Sequence, residues 1–569
     1  MAKKLIPLSV CFGIASLPLW LIFGDLLNQI NTVSYINEGD QRFNFLVLNW
    51  GLDWILNQVP QDTASLWDFY IYHPYRQALT LSSNHLGSLP LTAFFHLFTD
   101  DWFTKGNLWI HACYLLNAIA MFHVSYLYLK REWQLDLKTL LILAATLSLA
   151  FSYSPPRIHY LEHSQTLPSF ATPYFFYFGY LTVKNSLKWM VPTALMLSWQ
   201  VFLDIHISLM AMLLATIGLT IYLGGLLIKK ERSAIIHLIQ GSVGTALICA
   251  LLIWPLLEPY LDTKSLFGIR DWGAYNMYRG KESFLTKPGP MLTLYGDGLG
   301  HVPGEGNNFP GMGFLGLFLL LIGLVFTDAV RRVTKKSTRW SCLAPLVWLV
   351  PTGIFVNYMV HKSAFAWLIW RTFPGFDSIR TPARFSILLP IIIAVCFFAY
   401  MKSRGFRGWK VIIPAGLCGL LTLAEASSTR MLTWHRIEKP QLAAALKMAE
   451  GPTIVLPFIF DPNHNLDIMQ YARIAQKRVG NGYSGFLPAS FLHLVDHAKD
   501  YPPKELTRQL LTTYRSAIVP SSEIGKYQPE GYPTTVVGHY TIVHGKFPTP
   551  PLKTSWRDHS QYFPYIKAQ

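Results

Sequence analysis

Two carboxylates one residue apart, Glu38 and Asp40, flank Gly39 just beyond the first long apolar run. A glycine between two acids frees the backbone. One acid can then act as a general base while the other orients it or ligates a metal. Close to hydrocarbon, a charged carboxylate loses solvation, which lifts its pKa towards the range of a working base. The same spacing also suits a solvated turn, and spacing alone does not separate the two.

A second group falls in Ser154-Pro155-Pro156-Arg157-Ile158-His159-Tyr160-Leu161-Glu162-His163-Ser164-Gln165. On a continuous helix, His159, Glu162 and His163 share one face and match the His-x-x-Glu-His pattern of some zinc peptidases. The match is short, lies in a loop between apolar runs and shows no evident third ligand. Phosphate or sugar binding by Arg157, His159 and His163 fits better, because cationic side chains pair with phosphate oxygens. Asp204 and His206 occupy a very short turn, where they either terminate helices or contact a ligand. His85 and Glu258 stand in a similar position as substrate-binding candidates. His111, His123 and His237 fall inside apolar runs, where packing or internal hydrogen bonding is the simpler role. Arg371, Arg380 and Arg384 form a late basic group beside Asp377.

These residues sit among elements of one dominant kind. The chain has 569 residues, 51% hydrophobic and only 14% charged, with 36 prolines and 39 glycines. A soluble domain is about one quarter charged, so the composition excludes an ordinary soluble enzyme. Fourteen per cent aromatics excludes disorder. The pattern is that of a mainly α, polytopic helical membrane bundle. Eleven apolar runs approach the length needed to cross about 30 Å of hydrocarbon: 5–28, 107–129, 138–153, 168–183, 187–204, 206–228, 234–257, 311–330, 341–360, 384–401 and 410–427. The fourth and fifth are short enough to be tilted or partly re-entrant. The first lacks a clear small-x-small cleavage site and reads as a retained anchor.

The net charge of +16 is distributed in short Lys/Arg clusters between these runs. That is the positive-inside pattern, not a contiguous phosphate-binding face, so no nucleic-acid partner is expected. With the N-terminus in the cytoplasm, every inside segment is basic, and eleven crossings leave the C-terminal domain extracytoplasmic. The positive charge at Arg371, Arg380 and Arg384 then falls on the outer side, against the rule. A lipid-linked phosphate, pairing with Asp377 or outer headgroups would each account for it.

The expected division is a membrane module, 1–429, with large outer loops 29–106 and 258–310, followed by an extracytoplasmic α/β domain, 430–569. Loop 29–106 carries seven acids against three bases. Its stretch 41–58 mixes Phe43, Phe45, Leu46, Trp50, Trp54 and Ile55 with polar residues, the pattern of a helix in the headgroup plane. A second stretch, 86–98, reads the same way. Loop 258–310 is rich in Gly and Tyr and could cover a cavity. In the C-terminal part, 440–450 reads as a helix and TIVLPF (453–458) as a strand. PASFLHLVDHAK and KELTRQLLTTY read as amphipathic helices, SAIVP as a strand and TTVVGHYTIVHGKF as a hairpin. All six cysteines lie in apolar runs, without metal-ligand spacing.

Taken in order, several strings resemble bacterial members of the GT-C superfamily of integral-membrane glycosyltransferases, including its YfhO-like branch. They are Leu66-Trp67-Asp68 with His73-Pro74-Tyr75, Ser83-Asn84-His85-Leu86-Gly87-Ser88, and Pro156-Arg157 through His163-Ser164-Gln165. Phe373-Pro374-Gly375-Phe376-Asp377-Ser378-Ile379-Arg380-Thr381-Pro382-Ala383-Arg384-Phe385 and Asn481-Gly482-Tyr483-Ser484-Gly485-Phe486 complete the set. The Trp-Trp-Asp signature of oligosaccharyltransferases is missing. The resemblance implies about a dozen spans and an acidic motif after the first, here Glu38 and Asp40. It also implies a polyprenyl-phosphate sugar as donor, a glycan or lipid acceptor and an inverting mechanism with Asp40, assisted by Glu38, as base. Arg157, His159, His163, Arg380 and Arg384 are then expected to hold the donor phosphate, and His85, Asp204, His206 and Glu258 the substrate. No cofactor is required. A divalent cation, Mg or Mn, is compatible with the scheme, with Asp40 and His163 as its holders. The implied setting is a bacterial plasma membrane. The competing reading is a non-catalytic transporter or flippase for a lipid-linked glycan, although paired inverted halves are not evident. Tyr483 and Phe486 suit a sugar-stacking face, but an ordinary turn and core is the simpler reading.

Overall fold

The computed structural model describes residues 2–35, 38–267, 272–280, 287–288, 292–295, 309–334, 344–429, 433–436, 438–459, 461–484, 491, 495 and 502–546. The chain is mostly helical. Eight described helices are long and apolar enough to cross a membrane: Ile6–Phe23, Trp102–Trp133, Leu137–His159, Ile205–Lys229, Arg232–Ser265, Met312–Arg332, Pro382–Ser403 and Trp409–Ser427. The eleven expected spans therefore reduce to eight clear ones. The fourth and fifth correspond to helices Ala171–Lys184 and Met190–Leu203, each of 14 residues. At 1.5 Å per residue each is about 21 Å long, short of the hydrocarbon thickness. The ninth is the shorter apolar segment Pro345–Val360.

Two compact units make up the chain. The first comprises Met1–Ile36, Asn107–Trp254 and Ile269–Thr433; the second comprises Asn37–Gly106, Pro255–Gly268 and Trp434–Gln569.

In the first unit the core is built from Leu143, Phe151, Met210, Phe314, Leu321, Phe355, Tyr358, Phe385 and Phe397, among others. Pro382–Ser403 is the most enclosed span, whereas Ile6–Phe23 and Arg232–Ser265 turn most of their surface outward, as lipid-facing helices must. Gly313 lets its helix approach closely, since a Cβ there would sit 3.1 Å from the Cys418 backbone. The described cysteines are free; Cys342 lies outside the described residues. The three bundle histidines make internal hydrogen bonds: His111 to Tyr35 at 3.0 Å, His123 to Tyr174 at 3.0 Å and His237 to the Thr182 carbonyl at 2.8 Å. About half of the expected cover formed by loop 258–310, including all of 296–308, lies outside the described residues.

The second unit joins the first outer loop to the C-terminal segment. A four-stranded sheet has β1 (Thr453–Val455), β2 (Ser516–Pro520), β3 (Thr534–Val537) and β4 (Tyr540–His544) in the order β1-β2-β4-β3. β1 runs parallel to β2, and β4 is antiparallel to both of its neighbours. The Glu38–Ile55 helix does not lie open on a headgroup plane: residues 41–53 are all buried. Their polar members explain why. Arg42 Nη2 donates to Asp467 Oδ1 and Gln470 Oε1, each at 2.6 Å, and Trp434 Nε1 donates to Gln41 at 3.0 Å. A helix with acceptors and donors on every face needs protein around it, not lipid. Of the amphipathic stretches, helix Pro503–Leu510 is described; 488–499 lies almost wholly outside the described residues.

Candidate functional site

The acid excess of the first outer loop is largely consumed inside the second unit. Asp53 receives Arg473 through two bonds, Nε–Oδ2 at 2.5 Å and Nη2–Oδ1 at 2.7 Å. Asp62 receives Arg478 at 2.8 Å, Asp68 receives Arg76 at 2.8 Å, and Asp101 receives Arg436 at 2.6 Å. Asp100 pairs with His96 at 3.1 Å. Four acids thus serve arginine pairing and a fifth meets a histidine. Glu38 and Asp40 stand in the first turn of the Glu38–Ile55 helix, where the helix dipole favours negative charge. The Glu38 side chain lies outside the described atoms.

Asp40 is half-buried and accepts a hydrogen bond at Oδ1 from the Tyr483 hydroxyl. One helical turn on, buried Asn44 lies on the same face. Its Oδ1 is 3.2 Å from His85 Nε2. His85 is 2% exposed and sits in the left-handed region at φ 53°, which the SNHLG turn requires. Beside it, Asn84 Nδ2 donates to Tyr260 at 3.3 Å, Tyr260 donates to the Ser82 carbonyl at 2.6 Å, and the Thr80 and Thr263 hydroxyls meet at 2.5 Å. The second unit therefore gathers Asp40, Asn44, Asn84, His85, Tyr260 and Tyr483 into a polar group of carboxylate, amides, imidazole and phenols. These are groups that hydrogen-bond sugar hydroxyls. Glu258 is exposed on the helix that carries Tyr260.

Aromatic and charged neighbours frame this group. Phe43 meets the Tyr483 ring edge-on at 5.8 Å. Ser484 Oγ donates to the Tyr72 oxygen at 3.2 Å, and burial pushes the Tyr72 phenol well above its usual range, the Ser484 bond opposing this. His73, fully enclosed and near Arg478 and Arg76, is held neutral: burial and those two charges take its pKa well below the usual value.

The expected phosphate-binding residues lie in the first unit. Arg157 is 2% exposed and donates Nε to the Phe151 carbonyl at 3.1 Å. Its Nη1 donates to Thr166 and Leu167 carbonyls at 3.1 and 3.3 Å and to Ser169 Oγ at 2.7 Å. This guanidinium ties a loop to itself. His159 ends the short helix Pro155–His159 and meets Tyr160 edge-on at 5.3 Å. The chain then continues as a 3₁₀ segment, Tyr160–Thr166, with His163 non-helical at φ −99°, ψ 59°. The α-helical face that the zinc-peptidase pattern needs is broken there, and the Glu162 side chain lies outside the described atoms. Among the described residues, no three His, Cys, Asp or Glu side chains come together as a metal site. The two expected holders are in separate units, Asp40 in the second and His163 in the first.

Asp204 caps helix Ile205–Lys229, accepting from Ile207 N at 2.7 Å, and its other oxygen is 3.5 Å from His206 Nδ1. Its helix-terminating role is therefore realised. Arg380 stacks over Tyr278 at 4.7 Å. Arg384 is buried, 7% exposed, in the 3₁₀ segment Pro382–Leu388.

Asn44 is absent from the residues expected from sequence; its signal is its position four residues after Asp40 on a helix. The sequence favours an ordinary turn and core at Tyr483. Its contact with a residue 443 positions away has no local sequence signal.

No protein-family model matches the chain, and no curated protein matches it. Among solved structures, it is similar to the cryo-EM structure of arabinofuranosyltransferase AftD from Mycobacteria, with a TM-score of 0.52 at 11% identity. The match covers 94% of this chain and 40% of that one. A mutant form of AftD gives a TM-score of 0.46 at 12% identity, over 95% and 42% of the two chains. The chain thus spans about two-fifths of the length of AftD. At this identity the likeness is one of fold.

Proposed function

We propose that the protein is a GT-C-type membrane glycosyltransferase that moves a sugar from a polyprenyl phosphate to an extracytoplasmic glycan or lipid, with inversion. The observation that carries this reading is the polar group around Asp40: a carboxylate in the first turn of a helix, bonded by the Tyr483 hydroxyl, with the Asn44–His85 pair one helical turn further on. The AftD-like fold supports the class of reaction.

In this scheme Asp40, with Glu38 beside it, removes the proton of an acceptor hydroxyl. The oxygen attacks the anomeric carbon from the face opposite the phosphate. The old carbon–oxygen bond breaks with its electron pair passing to the phosphate, and polyprenyl phosphate departs. Asn44, Asn84, His85 and Tyr260 bind sugar hydroxyls. Arg380, Arg384, His159 and His163 carry the role of holding the phosphate, where cations stabilise the charge that develops on leaving. Asp204 and His206 are secondary candidates, since Asp204 already caps a helix, and Arg157 is assigned to loop architecture. The reading places the chain in a bacterial plasma membrane with its C-terminal domain outside, in the YfhO-like branch.

The test is transfer from a panel of labelled polyprenyl-phosphate sugars, beginning with a pentofuranose because the neighbouring fold is an arabinofuranosyltransferase. The product's anomeric configuration should be opposite to the donor's. Retained configuration would refute the single-displacement scheme, and lipid-glycan flux across vesicles without transfer would refute the enzyme.

A further inference from the structure

We infer that Tyr483 is a positioning residue for the Asp40 carboxylate, so that the C-terminal segment builds part of the catalytic site. This inference rests on Asp40 being the base.

The hydroxyl of Tyr483 donates to Asp40 Oδ1. A phenol on one oxygen sets the plane of the carboxyl group and therefore the direction in which Oδ2 can accept a proton. It also favours the ionised form, the form that accepts a proton.

The segment carrying Tyr483 is held unusually firmly for a connection. Asn481 brackets β1: its Oδ1 accepts from Val455 N at 2.8 Å and its Nδ2 donates to Val455 O at 3.0 Å. Thr453 N donates to Arg478 O at 2.9 Å, and Gly480 N donates to Thr453 O at 3.0 Å. On the other side, Val479 N donates to Tyr70 O and His73 N to Val479 O, both at 2.9 Å. Residues 478–481 thus bridge β1 and the 70–73 stretch by backbone hydrogen bonds. Two glycines permit the fit. A Cβ at Gly480 would lie 2.4 Å from the Tyr514 hydroxyl, and one at Gly482 would lie 2.6 Å from the Tyr72 ring. Phe43, one turn along from Asp40, clamps the Tyr483 ring. The phenol is therefore delivered by a rigid platform, as a preorganised site requires.

The Glu38–Ile55 helix and the elements packed against it carry further charged and titratable groups. On its own helix are Glu38 and Arg42, the latter turned to Asp467 and Gln470. One turn on, Asn44 leads to His85; the Asp53–Arg473 pair lies near the far end of the helix, about 20 Å along its axis. From the C-terminal side come Asp467 with Lys439, and Tyr72 through Ser484.

The test uses full-length protein in nanodiscs and the pH dependence of kcat/KM with a labelled polyprenyl-phosphate sugar. Tyr483→Phe removes only the donor. The acidic limb of the profile should move to higher pH by roughly one to two units, the worth of a hydrogen bond to a charged group. Replacing Tyr483 by 3-fluorotyrosine, a more acidic phenol, should move the limb the opposite way; it decides the matter if Tyr483→Phe fails to fold. An unmoved limb in Tyr483→Phe, while Asp40→Asn abolishes transfer, overturns the inference and leaves the base assignment standing. Full transfer by Asp40→Asn overturns the base assignment itself.

Discussion

Replacing Asp53 with alanine should destabilise the second unit severely. The carboxylate side chain is 4% exposed and its partner Arg473 is 13% exposed. The two share a bidentate pair with bonds of 2.5 and 2.7 Å. Burial alone would lower the Arg473 pKa, yet the Asp53 charge and hydrogen bonds hold it above its ordinary value. The guanidinium therefore stays charged, and removing Asp53 leaves it buried without its counter-ion. Breaking one side of such a pair costs about 3–5 kcal/mol. For a domain of this size each kcal/mol moves Tm by about 2–4 °C. The expected loss is then roughly 6–20 °C by these scalings, read by scanning fluorimetry in detergent, with faster hydrogen exchange in the Glu38–Ile55 helix. Asp53→Leu combined with Arg473→Met should recover more than half of the loss, because an apolar pair of similar volume carries no unpaired charge. A single variant melting within about 2 °C of the parent, well below the scaled expectation, would refute the reasoning. So would a double variant no better than the single.

His73 gives a pH signature. Its folded pKa lies well below the ordinary value of 6.5 because of burial and the nearby Arg478 and Arg76 charges. Below pH 6.5 the unfolded chain binds a proton that the folded chain refuses. Stability is therefore complete above that pH and falls as pH drops, by up to about 1.4 kcal/mol per pH unit. His73→Gln should flatten the Tm profile between pH 7 and 5; an unchanged slope would remove His73 from this role. Arg157→Lys should cost about 2–4 kcal/mol and loosen residues 155–169 in hydrogen exchange, since a lysine cannot reach four oxygens with a planar fork. Normal protection in that variant would show that the guanidinium is not what holds the loop.

The membrane character and most of the long helices were legible because twenty apolar residues have few other uses in water. The two 14-residue helices defeated the span count because apolar composition does not report where a helix stops. Asn185 and Ser186 end one, and Ser186 caps the turn before the next. The strands from Thr453 and Ser516 and the hairpin at Thr534–His544 were readable from local alternation. The Glu38–Ile55 helix was misread as interfacial because its aromatic and polar residues look amphipathic. What buries its polar face is Trp434, Asp467 and Gln470, between 393 and 428 positions later in the chain. The acid excess of the first loop posed the same problem. The arginines that pair with Asp53, Asp62 and Asp101 are distant in sequence, so the pairing has no local signal.

The most direct test is single-turnover transfer from a labelled polyprenyl-phosphate sugar by the parent protein and by Asp40→Asn, with matched melting temperatures as the control for folding. Loss of a general base should slow the chemical step by about 10²–10⁴-fold while donor binding persists. Transfer at the parent rate by the asparagine variant would contradict the assignment of Asp40 as the proton acceptor.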